Sequence, residues 1–175
     1  MKTFKQFMST VEKHKNNKAD PEMFKRHHEL MKNRDYTIHE YLPLYHEASY
    51  ETNHNGNSIK YYFRPHGDEK GHYDKEFSVN DSFDVTGDQG KSAVSIIKGS
   101  HDTLHHFING GHKDLGYKDK PTKISWTIDD PKRAGYNRRI VQKITKNNPK
   151  WMAHEDPEGD FGHTFTLTHK DHIES

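Results

Sequence analysis

Cysteine is absent from the 175 residues. That excludes disulfides, thiolate nucleophiles and cysteine-held zinc. Apolar residues are scarce: they make up 29% of the chain, against a usual share of roughly 45–50% on a slightly broader grouping. No run of about 18 apolar residues exists, so no transmembrane helix is expected. The first residues, Met1 to Met8, lack an apolar signal-peptide core, and the expectation is a chain made and kept in a cytosol. Charge of either sign is also nearly balanced, with 27 Lys+Arg against 26 Asp+Glu and a formal net charge of +1. Such a balance gives no general pull toward nucleic acid.

Two residue types stand out against this background. Aromatics reach 11%, which argues against disorder, since disordered chains are aromatic-poor. Histidine occurs 16 times. The length fits one domain. A thin, aromatic-rich core with polar extensions is the expectation.

The pattern along the chain divides into an arm, a body and a tail. Residues 1–35 read as a helical arm. Thr3 caps a short helix with Phe4, Phe7, Met8 and Val11 on one face. Pro21 suits the first turn of a second helix carrying Phe24, His27 or His28, and Met31. From residue 36 the period changes to two: Leu42, Leu44, His46, Ala48 and Tyr50 alternate with polar residues, then Ile59, Tyr61 and Phe63, then Phe77 and Val79, then Phe83 and Val85. A helix is predicted from about Lys91 to Asn109, with Val94, Ile97, His101, Leu104 and Ile108 as its stripe. Asn109-Gly110-Gly111 ends it. Ile124, Trp126 and Ile128 predict a strand. Asp129-Asp130-Pro131 starts a further helix lined by Tyr136, Ile140 and Ile144. One or two strands follow, ending in Phe161, His163, Phe165 and Leu167. The expected fold is α+β: a mainly antiparallel sheet with two helices on one face, comprising residues 36–168, between the arm and a frayed tail of 169–175.

This frame offers places for four kinds of chemistry. His101 and His105 stand four apart on a predicted helix, a spacing that turns both toward one ion. His163 or His112 would supply a third ligand, so His101, His105 and His163 are the candidate metal set, with zinc as the ion. The plain alternative is a set of structural histidines. Two-histidine phosphoesterase chemistry needs facing His-x-Thr-apolar strands. His101-Asp102-Thr103-Leu104 has the letters but falls in a helix, and His163-Thr164-Phe165-Thr166 is one residue out of step. Thr86-Gly87-Asp88-Gln89-Gly90-Lys91-Ser92 precedes a helix N-terminus, which favours anions. Yet it is too short for a P-loop. Lys132, Arg133, Arg138, Arg139, Lys143 and Lys146 decorate the last long helix, where a surface for nucleic acid or an acidic partner is the functional reading and a solvated face the plain one. No catalytic residue is assigned.

A loose series of motifs carries a resemblance. Tyr61-Tyr62-Phe63, Phe77-Ser78-Val79, Thr86 to Gly90, Val94 to Ile97, Phe107-Ile108, Lys120-Pro121, Ile124-Ser125-Trp126 and Arg138-Arg139-Ile140 occur in an order that resembles a family of uncharacterised proteins of T4-like and other large tailed bacteriophages. The match covers about residues 59–150. It departs from the family's pattern in the long His112–Lys120 insertion and in Trp126, where phenylalanine is commoner. The start, Met1 to Phe7, is similar to the capsid-targeting leader of T4-type internal head proteins. Such leaders are cut after a glutamate with an apolar residue two before it, and Glu12 has Thr10 there.

The resemblance implies a non-enzymatic phage protein. It would be associated with the virion, as a structural or internal head protein, or would act on the host. Its partner would be a capsid or tail component or a host factor, and its place the host cytoplasm or the particle. The alternative from the residues themselves is a histidine-dependent metalloprotein, in the hydrolase or phosphoesterase class.

Overall fold

The computed structural model describes residues 21–32, 34–42, 47–83, 93–159 and 162–173. The expected Thr3–Val11 helix, Leu44, His46, Val85, the Thr86–Ser92 turn and Phe161 lie outside them.

The chain runs α1 (Pro21–Met31), β1 (Thr37–Leu42), β2 (Glu47–His54), β3 (Asn57–Pro65), β4 (His72–Val79), α2 (Ala93–His106), β5 (Lys123–Ile128), α3 (Pro131–Asn147), β6 (Trp151–Gly159), β7 (Gly162–His169) and α4 (Lys170–Ile173). All seven strands join one sheet in the order β1-β2-β3-β4-β5-β7-β6. Every pairing is antiparallel except β4 with β5. That exception follows from connectivity, because a chain that leaves β4 through a helix can return in the same direction. The protein is therefore α+β with a seven-stranded, mostly antiparallel sheet. Among the described residues no helix is long and apolar enough to cross a membrane.

Period-two patterning puts one face of the sheet inside. Tyr50, Tyr61, Phe63 and Phe165 are fully buried, with Ile59, Ile124 and Leu167 beside them. α2 lies over β3, and α3 lies over β5, β6 and β7 while touching α2. Phe63 stacks on Phe107 with ring centres 4.0 Å apart. The aromatics bury large areas, and their hydroxyls find carbonyls. Tyr61 donates to the Ile96 carbonyl at 3.0 Å and Tyr73 to that of Asp119 at 2.6 Å.

The stripe predicted for α2 is rotated. Val94 is 80% exposed, and Ile97 and His101 are only half-buried. The buried face carries Ser95, Ile96, Gly99, Ser100, Thr103 and Leu104. The cause is close approach: a Cβ on Gly99 would stand 2.1 Å from the Tyr61 hydroxyl. Small residues let the helix settle onto a tyrosine rising from the sheet, so the most apolar side is not the inner one. In α3 the inner face holds Ala134, Asn137, Ile140, Val141 and Ile144, while Tyr136 is 44% exposed.

α2 ends at His106, three residues earlier than expected. A wide turn, Phe107–Gly111, follows, with Gly110 at φ +103°. A single helical turn, His112–Asp114, comes next. This reversal folds Asp114 back toward His106. α1 packs on α2 and on this turn, burying His27 and Leu30. At the other end, His169 is buried, and the Lys170 amide donates to the Lys150 carbonyl at 2.8 Å. The residues expected to fray are thus partly tied down.

Candidate functional site

β4 and β5 pair only over His72–Asp74 with Lys123–Ser125. β4 continues to Val79 and β5 to Ile128. Past the short ladder the two strands share no pairs. β4 remains bonded to β3 on its far side, and β5 to β7. Among the described residues, two backbone edges thus face each other without pairing. Unpaired strand edges present rows of N–H and C=O groups that another extended chain can satisfy.

A cleft of about 890 Å³ opens there. Lys75 and Phe77 from β4, Trp126 from β5, Ile97 from α2 and Tyr136 and Ile140 from α3 line it. Its largest feature by chemistry is Lys75. The residue is only 5% exposed, and lysine is almost never buried without a partner. Among the described residues no carboxylate or carbonyl pairs with it by hydrogen bond or ion pair. Its ammonium lies 5.0 Å from the centre of the Trp126 ring, a cation–π contact. Burial pushes the amine down to about 8. The Trp126 indole is fixed by donating Nε1–H to Asn137 Oδ1 at 2.9 Å.

A polar cluster sits at the rim of this cleft. His72 Nδ1 lies 2.8 Å from Glu69 Oε2, and His72 Nε2 lies 2.6 Å from Ser125 Oγ. Ser125 Oγ also lies 3.2 Å from Asp74 Oδ1, and His66 Nδ1 is 2.7 Å from Asp74 Oδ2. The His66 and His72 rings stack at 4.1 Å. Burial lowers the pKa of His72 against the opposing pull of Glu69. The backbone makes this possible. His66 N–H donates to the His72 carbonyl at 2.9 Å and closes the turn between β3 and β4. Gly71 has φ +77°, and a Cβ there would stand 2.7 Å from the Lys120 carbonyl. Only glycine lets the Thr122 and Lys123 amides reach the Gly71 carbonyl, at 2.8 and 3.1 Å, and start the parallel pair.

A second cluster is sealed inside. Arg26 grips Asp114 with Nε to Oδ2 at 3.2 Å and Nη2 to Oδ1 at 2.8 Å. His27 Nε2 and His106 Nε2 lie 3.5 and 3.3 Å from Asp114 Oδ2. The Tyr50 hydroxyl is 2.8 Å from His106 Nδ1. Burial works to raise the Asp114 pKa. The nearby His106 and His27 imidazoles and the Arg26 hydrogen bonds outweigh it and hold the carboxyl far below the usual range. The Arg26 guanidinium already balances this carboxylate, so a cation would meet repulsion. The cluster reads as a lock joining α1 to the end of α2.

The sequence-based metal set is not gathered. His101 and His105 stack with centres 6.1 Å apart, and His101 Nδ1 lies 3.2 Å from Asp102. His163 is on β7, where Nδ1 lies 3.0 Å from Glu155 Oε1. Among the described residues, the groups of three or more with ligand atoms within 4.8 Å of one another are His27–His106–Asp114 and His66–His72–Asp74. His101, His105 and His163 belong to neither. The His101–Leu104 segment is helical, with Thr103 bonded to the Gly99 carbonyl at 2.8 Å. Arg138 on α3 forms a two-pronged pair with Glu155 at 2.7 Å. Sequence motifs do not single out Lys75 or His72, and Ser125 enters only within the Ile124-Ser125-Trp126 motif. The signal was there for Lys75: it interrupts the alternation of Tyr73 and Phe77 on the inner face.

No known protein family matches the sequence, and no curated protein is similar to it. Among solved structures, the chain is similar to the crystal structure of a GNAT-family acetyltransferase from Streptococcus pneumoniae, at 9% identity and TM-score 0.27. The match covers 70% of this chain and 65% of that one. A likeness this distant carries nothing about activity.

Proposed function

We propose that the protein binds an extended, amide-bearing acyl thioester in the β4–β5 cleft and passes its acyl group to an acceptor amine or hydroxyl: the C–S bond breaks, a C–N or C–O bond forms, and the thiol leaves with the acceptor's proton. The observation that carries this reading is the pair of strand edges that part after Asp74 and Ser125, beside a buried lysine that no carboxylate neutralises among the described residues. Amide groups along the ligand satisfy the exposed N–H and C=O rows. Phe77, Trp126 and Ile97 cover its apolar parts. Lys75 supplies positive charge in a water-poor site, where it is worth most to an oxygen that gains negative charge during reaction. An acyl group borne on an amide-containing arm uses all three features. The pantetheine arm of coenzyme A is such an arm.

Calorimetric titration with acetyl-coenzyme A tests this. Saturable binding that weakens at least tenfold in Lys75→Met supports the reading. Absence of binding at millimolar concentrations of both acetyl-coenzyme A and free pantetheine overturns it.

The phage resemblance over residues 59–150 and the leader-like start support a second proposal: a non-enzymatic, virion-associated or host-interacting protein found in host cytoplasm or particle. The finer architecture that accompanies it sets α2 and α3 on one sheet face, with the N-terminal arm bound through α1. Mass spectrometry of purified particles decides this proposal, and absence of the protein removes the virion version.

A further inference from the structure

We propose that His66, His72 and Asp74 hold a divalent first-row transition metal at the mouth of the cleft. The site stands on its own geometry and does not rest on the acyl-carrier reading. His72 and Asp74 are two apart on β4 and so project from the same face. The closed turn between β3 and β4 brings His66 back over them. All three ligand atoms lie within 4.8 Å of one another, and atoms sharing one ion at about 2 Å are up to about 4 Å apart. Small side-chain rotations therefore complete the site.

The surroundings match what a metal site requires. Glu69 accepts from His72 Nδ1 and so leaves the Nε2 lone pair for the ion, the outer-shell arrangement typical of metal-bound imidazole. Ser125 Oγ sits between His72 Nε2 and Asp74 Oδ1. On binding, it rotates aside and hydrogen-bonds a metal-held water. The His66 and Asp74 side chains are 51% and 41% exposed, so the ion has an open path and open positions. Two imidazoles and one carboxylate suit zinc, cobalt or nickel rather than the all-oxygen preference of magnesium or calcium. The sealed Asp114 cluster lacks these properties, because Arg26 occupies its carboxylate.

The test uses full-length protein freed of affinity tag and metal. Zinc titration by calorimetry is expected to show one tight site per chain. Cobalt should give visible bands of a low-symmetry, nitrogen- and oxygen-ligated ion. His66→Ala and Asp74→Asn should each weaken zinc binding at least tenfold, and Glu69→Gln on the order of ten- to a hundredfold. Because these side chains are exposed, the variants should keep the wild-type melting temperature in metal-free buffer. The double variant His101→Ala/His105→Ala should bind as the wild type does. Failure to take up zinc overturns the proposal. So does uptake that survives His66→Ala and Asp74→Asn, or that disappears in the His101/His105 variant. Acetyl-coenzyme A binding, lost or kept in Lys75→Met, reads the cleft independently.

Discussion

Lys75 places its charged nitrogen over the ring of Trp126, at 5.0 Å, inside the sheet face that the helices cover. The position is costly for stability, because a buried ammonium has lost its water. Burial holds the folded-state pKa near 8, whereas the unfolded chain titrates near 10.4. The penalty is full below about pH 8 and fades as pH rises toward 10.

Lys75→Met should therefore raise stability at pH 7, by on the order of 1–2 kcal/mol once the lost cation–π attraction is subtracted. The gain should shrink by pH 9.5. Urea melts of both proteins at the two pH values check this. A lysine that can be replaced with a gain in stability and a loss of ligand binding is retained for function.

Acid should weaken the fold in two windows. Burial lowers the pKa of His106 in the folded state, and the same cause lowers His72, His105, His112 and His169. As pH falls through the unfolded value of about 6.5, the unfolded chain takes up protons first and stability drops. Asp114 acts in the second window. Its depressed pKa contributes stability that is full above about pH 4 and drains as pH falls further. The melting temperature should fall between pH 7.5 and 5, and an unchanged value contradicts the assignment.

The Asp114 lock can be cut directly. Asp114→Asn leaves Arg26 buried beside two histidines without its carboxylate. A loss of about 3–5 kcal/mol is expected, the usual cost of breaking a buried ion pair from one side. Hydrogen exchange should show α1 opening first, since Arg26 and His27 are its links to this carboxylate.

Gly99 offers a packing test. In Gly99→Ala the new methyl carbon would stand 2.1 Å from the Tyr61 hydroxyl and 2.6 Å from Cζ. Overpacking of this kind costs about 1–3 kcal/mol. Combining it with Tyr61→Phe removes the nearer clash, so Gly99→Ala should cost less in that background. Equal costs in both backgrounds would show that α2 does not rest on Tyr61.

Much of the scaffold was legible in the chain. Alternation of Tyr61 with Phe63, and of Ile124 with Trp126, marked inner-face strands, and both pairs are buried. Asp129-Asp130-Pro131 marked the start of α3, where the Arg133 and Ala134 amides do bond the Asp130 carbonyl. These signals are local: side-chain period and capping chemistry act within a few residues. The inner side of α2 was not legible, because Tyr61 meets it from 38 residues away in sequence.

The clusters lay beyond the sequence for the same reason. Helical spacing points to His101 and His105 because it is the relation that one chain segment can show. His72 finds Ser125 only because two strands pair in parallel across a helical crossover. Asp114 finds Arg26 only because the chain reverses at Gly110. Composition, period and turn residues determined an aromatic-cored α+β sheet without disulfides. Which imidazoles meet, where β4 and β5 part and which lysine is buried were decided by tertiary packing. Those contacts join residues far apart along the chain, and only the closed fold supplies the burial that gives them their chemistry.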